Sequence, residues 1–273
     1  SFDDAQAMVK RLFGDEEARS QVNLSAVNSI NWARLMAQIV YYFYAAVRLG
    51  GPDRPIAFSV PTGNFGDVFA GYVAAQMGLP IAKLVVATNV NDILHRALTR
   101  GDYSAGTVTA TATPSMDIQV SSNFERLLFD LSGRDGAAIT AMMRDFDQNR
   151  AMTIPEGMLA GARGLFSSAS IDGDAMALAL RWAQEHGGQI IDPHSAVGLA
   201  AARQLELDAD IPVVTLATAH PAKFREAVER ATGVRPALPA RLGNLFEREE
   251  RYTKLPGDYD AVKAFILAEA ARG

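Results

Sequence analysis

Pro55-Ile-Ala-Phe-Ser-Val-Pro-Thr-Gly-Asn-Phe-Gly-Asp67, continued by Val68-Phe-Ala-Gly-Tyr-Val-Ala-Ala-Gln-Met77, decides the fold. Ile56 to Val60 is a short apolar run suited to a strand buried on both faces. Val68, Tyr72, Val73 and Met77 recur at helical spacing, and Gly78 is a stop signal. Between strand and helix lies Gly63-Asn-Phe-Gly-Asp67. Its glycines permit a sharp turn and a close approach of backbone N–H groups to a ligand. The following helix start adds unpaired donors and the positive end of its dipole, a combination suited to phosphate. By shape alone, the stretch also reads as an ordinary strand-to-helix turn.

The pattern repeats outward. Ile81–Ala87 is a second buried strand, so strand, helix and strand form a βαβ unit. Further on, Gln189–Ile191 is expected as a short strand, Asp192-Pro-His-Ser195 as a cap for a helix to Leu205, and Ile211–Ala217 as the next strand. Phe166–Ile171 is another expected strand. Helices are expected over 32–49, 91–100, 122–131, 135–148, 172–186, 222–231 and 258–271. The alternation predicts an α/β fold with a mostly parallel sheet and helices on both faces. Asp3 or Asp4 is expected to cap a first helix ending at Gly14.

The chain has 273 residues, a net charge of −5 and 49% hydrophobic residues, enough material for a sizeable core. No basic run suggests a nucleic-acid footprint, and no apolar run is long enough for a membrane helix. Cysteine is absent, which removes disulfides and thiolate metal sites. The four histidines lack paired spacing, so no metal is expected. There is no G-x-S-x-G elbow, no P-loop and no G-x-G-x-x-G. A cytoplasmic protein is expected. The start, without an initiator Met and on a capped helix, suits a piece of something longer, though removal of Met would look the same.

Two places remain for chemistry. The Gly63–Asp67 turn and Thr218 both follow expected parallel strands, at the edge where open α/β sheets bind ligands. Thr218 is either a helix cap or a hydroxyl for a ring nitrogen. Asn28, Ser29, Asn31 and Arg34 are either a capping loop with a surface arginine or a second anion site.

Ser59–Asp67, Thr113-Pro-Ser-Met-Asp-Ile-Gln-Val-Ser-Ser-Asn-Phe-Glu-Arg-Leu-Leu128, Asp192-Pro-His-Ser-Ala-Val-Gly198 and Leu216-Ala-Thr-Ala-His-Pro-Ala-Lys-Phe224 together resemble bacterial threonine synthases, as does Asn28-Ser-Ile-Asn31 with Arg34. The blocks occur in the family's order and span nearly the whole chain. The resemblance implies a fold type II, tryptophan-synthase-β-like enzyme that uses pyridoxal 5'-phosphate. It implies a lyase that turns O-phosphohomoserine and water into threonine and phosphate. It places the cofactor phosphate on Gly63, Asn64, Phe65, Gly66 and Asp67, the pyridine nitrogen at Thr218, and the substrate phosphate at Asn28, Ser29 and Arg34.

One departure is large. The family's Schiff-base lysine lies in a context that none of Lys10, Lys83, Lys223, Lys254 or Lys263 matches, and it is expected upstream of Ser1. The chain therefore resembles a C-terminal larger part, with 1–27 as the remnant of a small domain and 28–273 as the large cofactor-binding domain. Its expected partner is the missing N-terminal part, and the isolated chain is expected to be inactive. Alternatives are a threonine dehydratase-like or other fold type II enzyme, which has no substrate phosphate to hold, and a non-catalytic ligand-binding homologue.

Overall fold

The computed structural model describes residues 2–271. It divides into two compact units, one of Asn28–Pro236 and one of Ser1–Val27 with Ala237–Gly273. In chain order the second begins with α1 (Phe2–Gly14) and α2 (Glu16–Gln21). Asp3 and Asp4 thus lie inside α1 rather than before it.

The Asn28–Pro236 unit carries α3 (Trp32–Arg48), β1 (Ile56–Pro61), α4 (Gly66–Gln76), β2 (Ile81–Thr88), α5 (Ile93–Arg100) and β3 (Asp102–Ser104). It continues with α6 (Phe124–Leu131), α7 (Gly136–Asn149), β4 (Ala151–Thr153), α8 (Glu156–Leu165) and β5 (Phe166–Ser170). It ends with α9 (Gly173–Gly187), α10 (Pro193–Ala202), β6 (Val213–Thr215) and α11 (Arg225–Thr232). Back in the other unit, α12 (Tyr259–Ala270) closes the chain. There Asp15 caps α2 through the Ala18 N–H at 2.9 Å and also receives Tyr259 Oη at 2.6 Å and Lys263 Nζ at 2.8 Å. These bonds, Lys263's first, hold the Asp15 carboxyl well below the usual carboxylate range.

Four strands pair in the order β5-β2-β1-β6, every pair parallel. Ser59 of β1 stands opposite Val85 on one side and Thr215 on the other. Alternate strand residues feed two cores. Phe58, Val60, Leu84 and Val86 pack with Tyr42 of α3 and Phe69 of α4, while Val85 and Ala87 pack with Leu180 of α9 and Val197 of α10. Helices therefore cover both faces, as a parallel sheet requires. A separate antiparallel pair, β3 with β4, has no counterpart in the sequence reading.

Three expectations change. Gln189–Ile191 forms no strand. Gly188 ends α9 in the left-handed region at φ +61°, the Gln189 N–H turns back to Ala183 O, and the chain runs directly into α10. α6 begins at Phe124, two residues later than the expected start at 122, with Asn123 as its N-cap. Met77, expected on the buried stripe of α4, is 63% exposed. α4 packs against α3 as well as β1 and β2, so Val68, Phe69, Ala70, Gly71 and Ala74 are buried instead of a single stripe.

α3 is bound to the start of α4 by the Tyr42 hydroxyl and by the Trp32 ring, edge-on to Phe69 at 6.4 Å. Tyr42 is fully buried, and its hydroxyl donates to Asp67 O at 2.8 Å and to Asp67 Oδ1 at 3.1 Å. Burial pushes the Asp67 carboxyl up to about 6, against the hydrogen bond from Tyr42 and the charge of Arg34. The tyrosine ring lies where a side chain on Gly71 would go: a Cβ there would meet Tyr42 Cε1 at 2.6 Å and Leu84 Cδ2 at 2.9 Å.

Two outcomes are expected. Gly71→Ala should cost about 1–3 kcal/mol through overpacking, read from urea denaturation midpoints. Asp67 favours its neutral form in the folded state, so its contribution is intact below the unfolded value of 3.8 and is lost as pH rises through about 6. Asp67→Asn should lack this loss. The stability of the variant relative to wild type should rise between about pH 4 and pH 7, by up to ~2 kcal/mol, since Asp67 keeps some solvent contact.

Candidate functional site

Parallel pairing sets the site. β1 and β6 are neighbours in register at Ser59 and Thr215, so their C-terminal ends leave the sheet side by side. The Gly63–Gly66 turn follows one and Thr218 follows the other. Neighbouring strands lie about 4.8 Å apart, so the two expected grips, far apart in sequence, share one edge of the sheet.

In the turn, the residue in the left-handed region is Phe65, at φ +66°, and neither glycine. Such a conformation in a bulky residue costs on the order of 1 kcal/mol and marks a position held by its surroundings. The surroundings are clear: the Phe65 ring is fully buried, 5.2 Å from Phe124 and 5.7 Å from Phe166 between ring centroids. The glycines serve close approach instead. A Cβ on Gly63 would lie 2.7 Å from Ser115 O, and one on Gly66 would lie 2.9 Å from Ser29 Cβ. Asn64 Oδ1 accepts from the Gly66 N–H at 3.0 Å, which closes the turn. Within the first turn of α4 the Gly66 N–H is thus taken by Asn64 and the Phe69 N–H by Phe65 O, which leaves the Asp67 and Val68 N–H groups without an acceptor inside the helix and suited to an anionic ligand. The Asp67 carboxylate is occupied by Tyr42, so what this residue offers is its backbone.

The Asn28–Asn31 loop is fastened to this turn. Ser29 Oγ accepts from Asn64 Nδ2 at 2.9 Å and from Asn123 Nδ2 at 3.0 Å. Asn28 Oδ1 accepts from the Ile30 N–H, and Asn31 caps α3 through the Ala33 N–H, both at 3.0 Å. Arg34 is exposed in the first turn of α3, and its charge reaches Asp67. The structure thus ties Ser29 directly to the glycine turn and brings the charge of Arg34 to bear on Asp67, while the Asn28 side chain bonds within its own loop.

Thr218 is exposed, and its backbone N–H donates to Ser195 Oγ at 3.1 Å. Ser195 and His194 open α10, and both bond to Asp192. Burial raises the Asp192 carboxyl, but the hydrogen bonds from His194 and Ser195 bring it below its ordinary value.

Sequence reasoning placed His194 and Ser195 only in a helix cap and gave Asn123 and Arg126 no part in the site. Arg126 donates to Asn123 Oδ1 at 2.9 Å and to Ile30 O at 3.2 Å, so Asn123 and Arg126 fix the serine loop from below. Their spacing of three at a helix start was the available signal. Chemically, the arrangement offers backbone donors and one guanidinium to anionic oxygens and a hydroxyl to an atom farther along the sheet edge.

The comparisons with known proteins agree along the whole chain. A family model described as "Threonine synthase, C-terminal" matches residues 195–266. A threonine synthase of Pseudomonas aeruginosa is 51% identical over 100% of this chain and 58% of its own length. That of Saccharomyces cerevisiae is 42% identical, again over 100% and 58%. Among solved structures, a PLP-bound threonine synthase from Brucella melitensis superposes with a TM-score of 0.90 at 49% identity, covering 100% of this chain and 58% of that one. The yeast enzyme gives 0.87 at 37% identity, with the same coverage. The chain therefore spans about three-fifths of the length of the relatives it matches, 58% in these cases. With its parallel sheet, helices on both faces and this likeness, the chain belongs to the threonine synthase family, has the family's fold type II architecture, and matches the C-terminal part of its members.

Proposed function

We propose that this chain is the cofactor- and phosphate-binding part of a cytoplasmic, pyridoxal-phosphate-dependent threonine synthase, which forms threonine and phosphate from O-phosphohomoserine and water. The observation that carries this reading is the pairing of β1 with β6, which brings the Cβ-free turn at Gly63 and Gly66 to the same sheet edge as the exposed Thr218. These residues fit a flat phosphorylated ring: a donor-rich turn for its phosphate and a hydroxyl for its nitrogen.

In this reading the Gly63–Gly66 turn, with the backbone of Asp67, holds the cofactor phosphate. The Thr218 hydroxyl meets the ring nitrogen. Being neutral, it leaves that nitrogen unprotonated. When bound, pyridoxal phosphate supplies an electron sink for negative charge on the substrate carbon. Asn28, Ser29 and Arg34 hold the substrate phosphate, and the Arg34 guanidinium stabilises the charge that develops as phosphate leaves. Arg34 also separates this reading from a dehydratase, which has no leaving phosphate to hold.

Neither Lys83 nor Lys223, the two lysines of this unit, stands in the context of the family's Schiff-base lysine. Lys83 donates to the Arg163 and Gly164 carbonyls at 3.0 and 2.9 Å, and Lys223 lies 5.4 Å from the Phe224 ring. Lys10, Lys254 and Lys263 belong to the other unit. The reading therefore assigns the cofactor-bearing lysine to the part of the relatives' length that this chain does not span. It assigns Ser1–Val27, with the stretch from Ala237, to a smaller domain completed by that part.

Two measurements test the proposal. The isolated chain should bind pyridoxal phosphate, and Gly66→Ala, which drives a methyl into Ser29, should weaken binding by roughly tenfold; equal affinity in both would remove the turn from the site. Incubated with O-phosphohomoserine and cofactor, the chain alone should release no threonine. Turnover by this polypeptide would overturn the assignment of the lysine.

A further inference from the structure

Asp192 occupies the N-cap of α10, a position where Ser, Thr or Asn serves as well. What it does exceeds a cap. The residue is fully buried, and its two oxygens receive four bonds. Oδ1 accepts from the His194 N–H at 2.9 Å and from His194 Nδ1 at 3.0 Å. Oδ2 accepts from the Ser195 N–H at 3.3 Å and from Ser195 Oγ. Only a carboxylate has acceptor capacity for two backbone and two side-chain donors together.

Each side chain then reaches a different part of the site. Ser195 Oγ, its hydrogen committed to Asp192, accepts the Thr218 N–H at 3.1 Å. His194 Nε2 accepts the Ser115 N–H at 3.3 Å. That bond fixes the tautomer: Nε2 carries no hydrogen, so Nδ1 donates to Asp192. The imidazole is buried and packs 4.7 Å from the Phe224 ring, on the segment that follows Thr218. Ser115 in turn lies directly over the phosphate-type turn, its carbonyl oxygen 2.7 Å from where a Gly63 Cβ would be. Ser121 Oγ adds a second tie from the same loop to Gly63 O at 2.9 Å.

We propose that Asp192 is a positioning residue that sets the spacing between the two grips: through Ser195 it fixes the Thr218 loop, and through His194 it fixes the segment packed on Gly63. This deepens the cofactor reading and rests on it for the identity of what is gripped. The linkage itself is a property of the chain without ligand. In the proposal His194 and Ser195 act by orienting the backbone segments at Ser115 and Thr218.

The two branches predict separable effects. Amide hydrogen exchange by NMR on the ligand-free chain should show faster exchange at Thr218 alone in Ser195→Ala and at Ser115 alone in His194→Phe, by up to about tenfold, as expected for loss of one hydrogen bond. Asp192→Asn should raise both, while Val86 in the sheet stays at the wild-type rate. Ser195→Thr and His194→Gln, which keep an acceptor, should restore protection. Equal acceleration at Ser115, Thr218 and Val86 in every variant would reduce the cluster to general stability and overturn the proposal, as would unchanged protection at both loop amides in Asp192→Asn.

With ligand, Ser195→Ala should weaken pyridoxal phosphate while leaving inorganic phosphate unaffected, and His194→Phe should weaken both. Identical ligand profiles for the two variants count against separate branches. A wild-type chain that binds neither ligand defeats the cofactor reading, and the exchange pattern then decides the positioning proposal by itself.

Discussion

The site depends on the pairing of β1 with β6. Parallel strands that lie side by side must end side by side, and whatever follows each strand is delivered to the same edge. The pairing covers only Ala57–Ser59 against Val213–Thr215, so a short ladder holds the geometry. It is reinforced from α10, where Ser59 Oγ donates to Gly198 O at 2.6 Å and Gly198 fits, without a side chain, against Pro61 and Thr215. Sheet order, helix packing and loop position are thus one arrangement seen at three scales.

The second layer of order is polar. Asn89, Asn91, Thr111, Thr113 and Asp117 bond among themselves beyond the end of β2, and the two hydrogens of Asn89 Nδ2 are shared among acceptors on Thr111, Thr113 and Asp117. This cluster holds the segment between β3 and α6, whose regular structure is one 3-10 turn at Pro114–Met116, on a fixed course over the sheet edge. Buried polar groups are costly unless satisfied. A network this complete converts that cost into a single conformation. Ser115, Met116 and Ser121 lie in or beside the segment, which is why the turn at Gly63 has a firm roof.

The strands near Ile56, Ile81 and Phe166, and helices with an Asp cap such as α7 and α9, were legible because their signals are local: apolar runs, caps and glycine stops. The Gly63–Asp67 turn was legible for the same reason. What was not legible depends on partners distant in sequence. Gln189–Ile191 looked like a strand by composition, yet the β1 edge is taken by β6. The glycines suggested the tight backbone, yet Phe65 takes the left-handed conformation because Phe124 and Phe166 hold its ring. The bonds from Asn123 to Ser29 and from Ser195 to Thr218 span 94 and 23 residues, which no local spacing encodes. The blocks resembling threonine synthases carried these residues into view without saying what they touch.

Ser29 shows how such distant bonds set chemical selectivity. A hydroxyl has two lone pairs and one hydrogen. Both lone pairs of Ser29 are filled, one by the amide of Asn64 and one by that of Asn123. Only its hydrogen remains to be offered, so this hydroxyl can greet an electron-rich oxygen and has no lone pair left for an ammonium or for another hydroxyl that needs an acceptor. The polarity of this hydroxyl is fixed before any guest arrives, by saturation of its lone pairs, and it agrees in sign with the charge of Arg34 nearby.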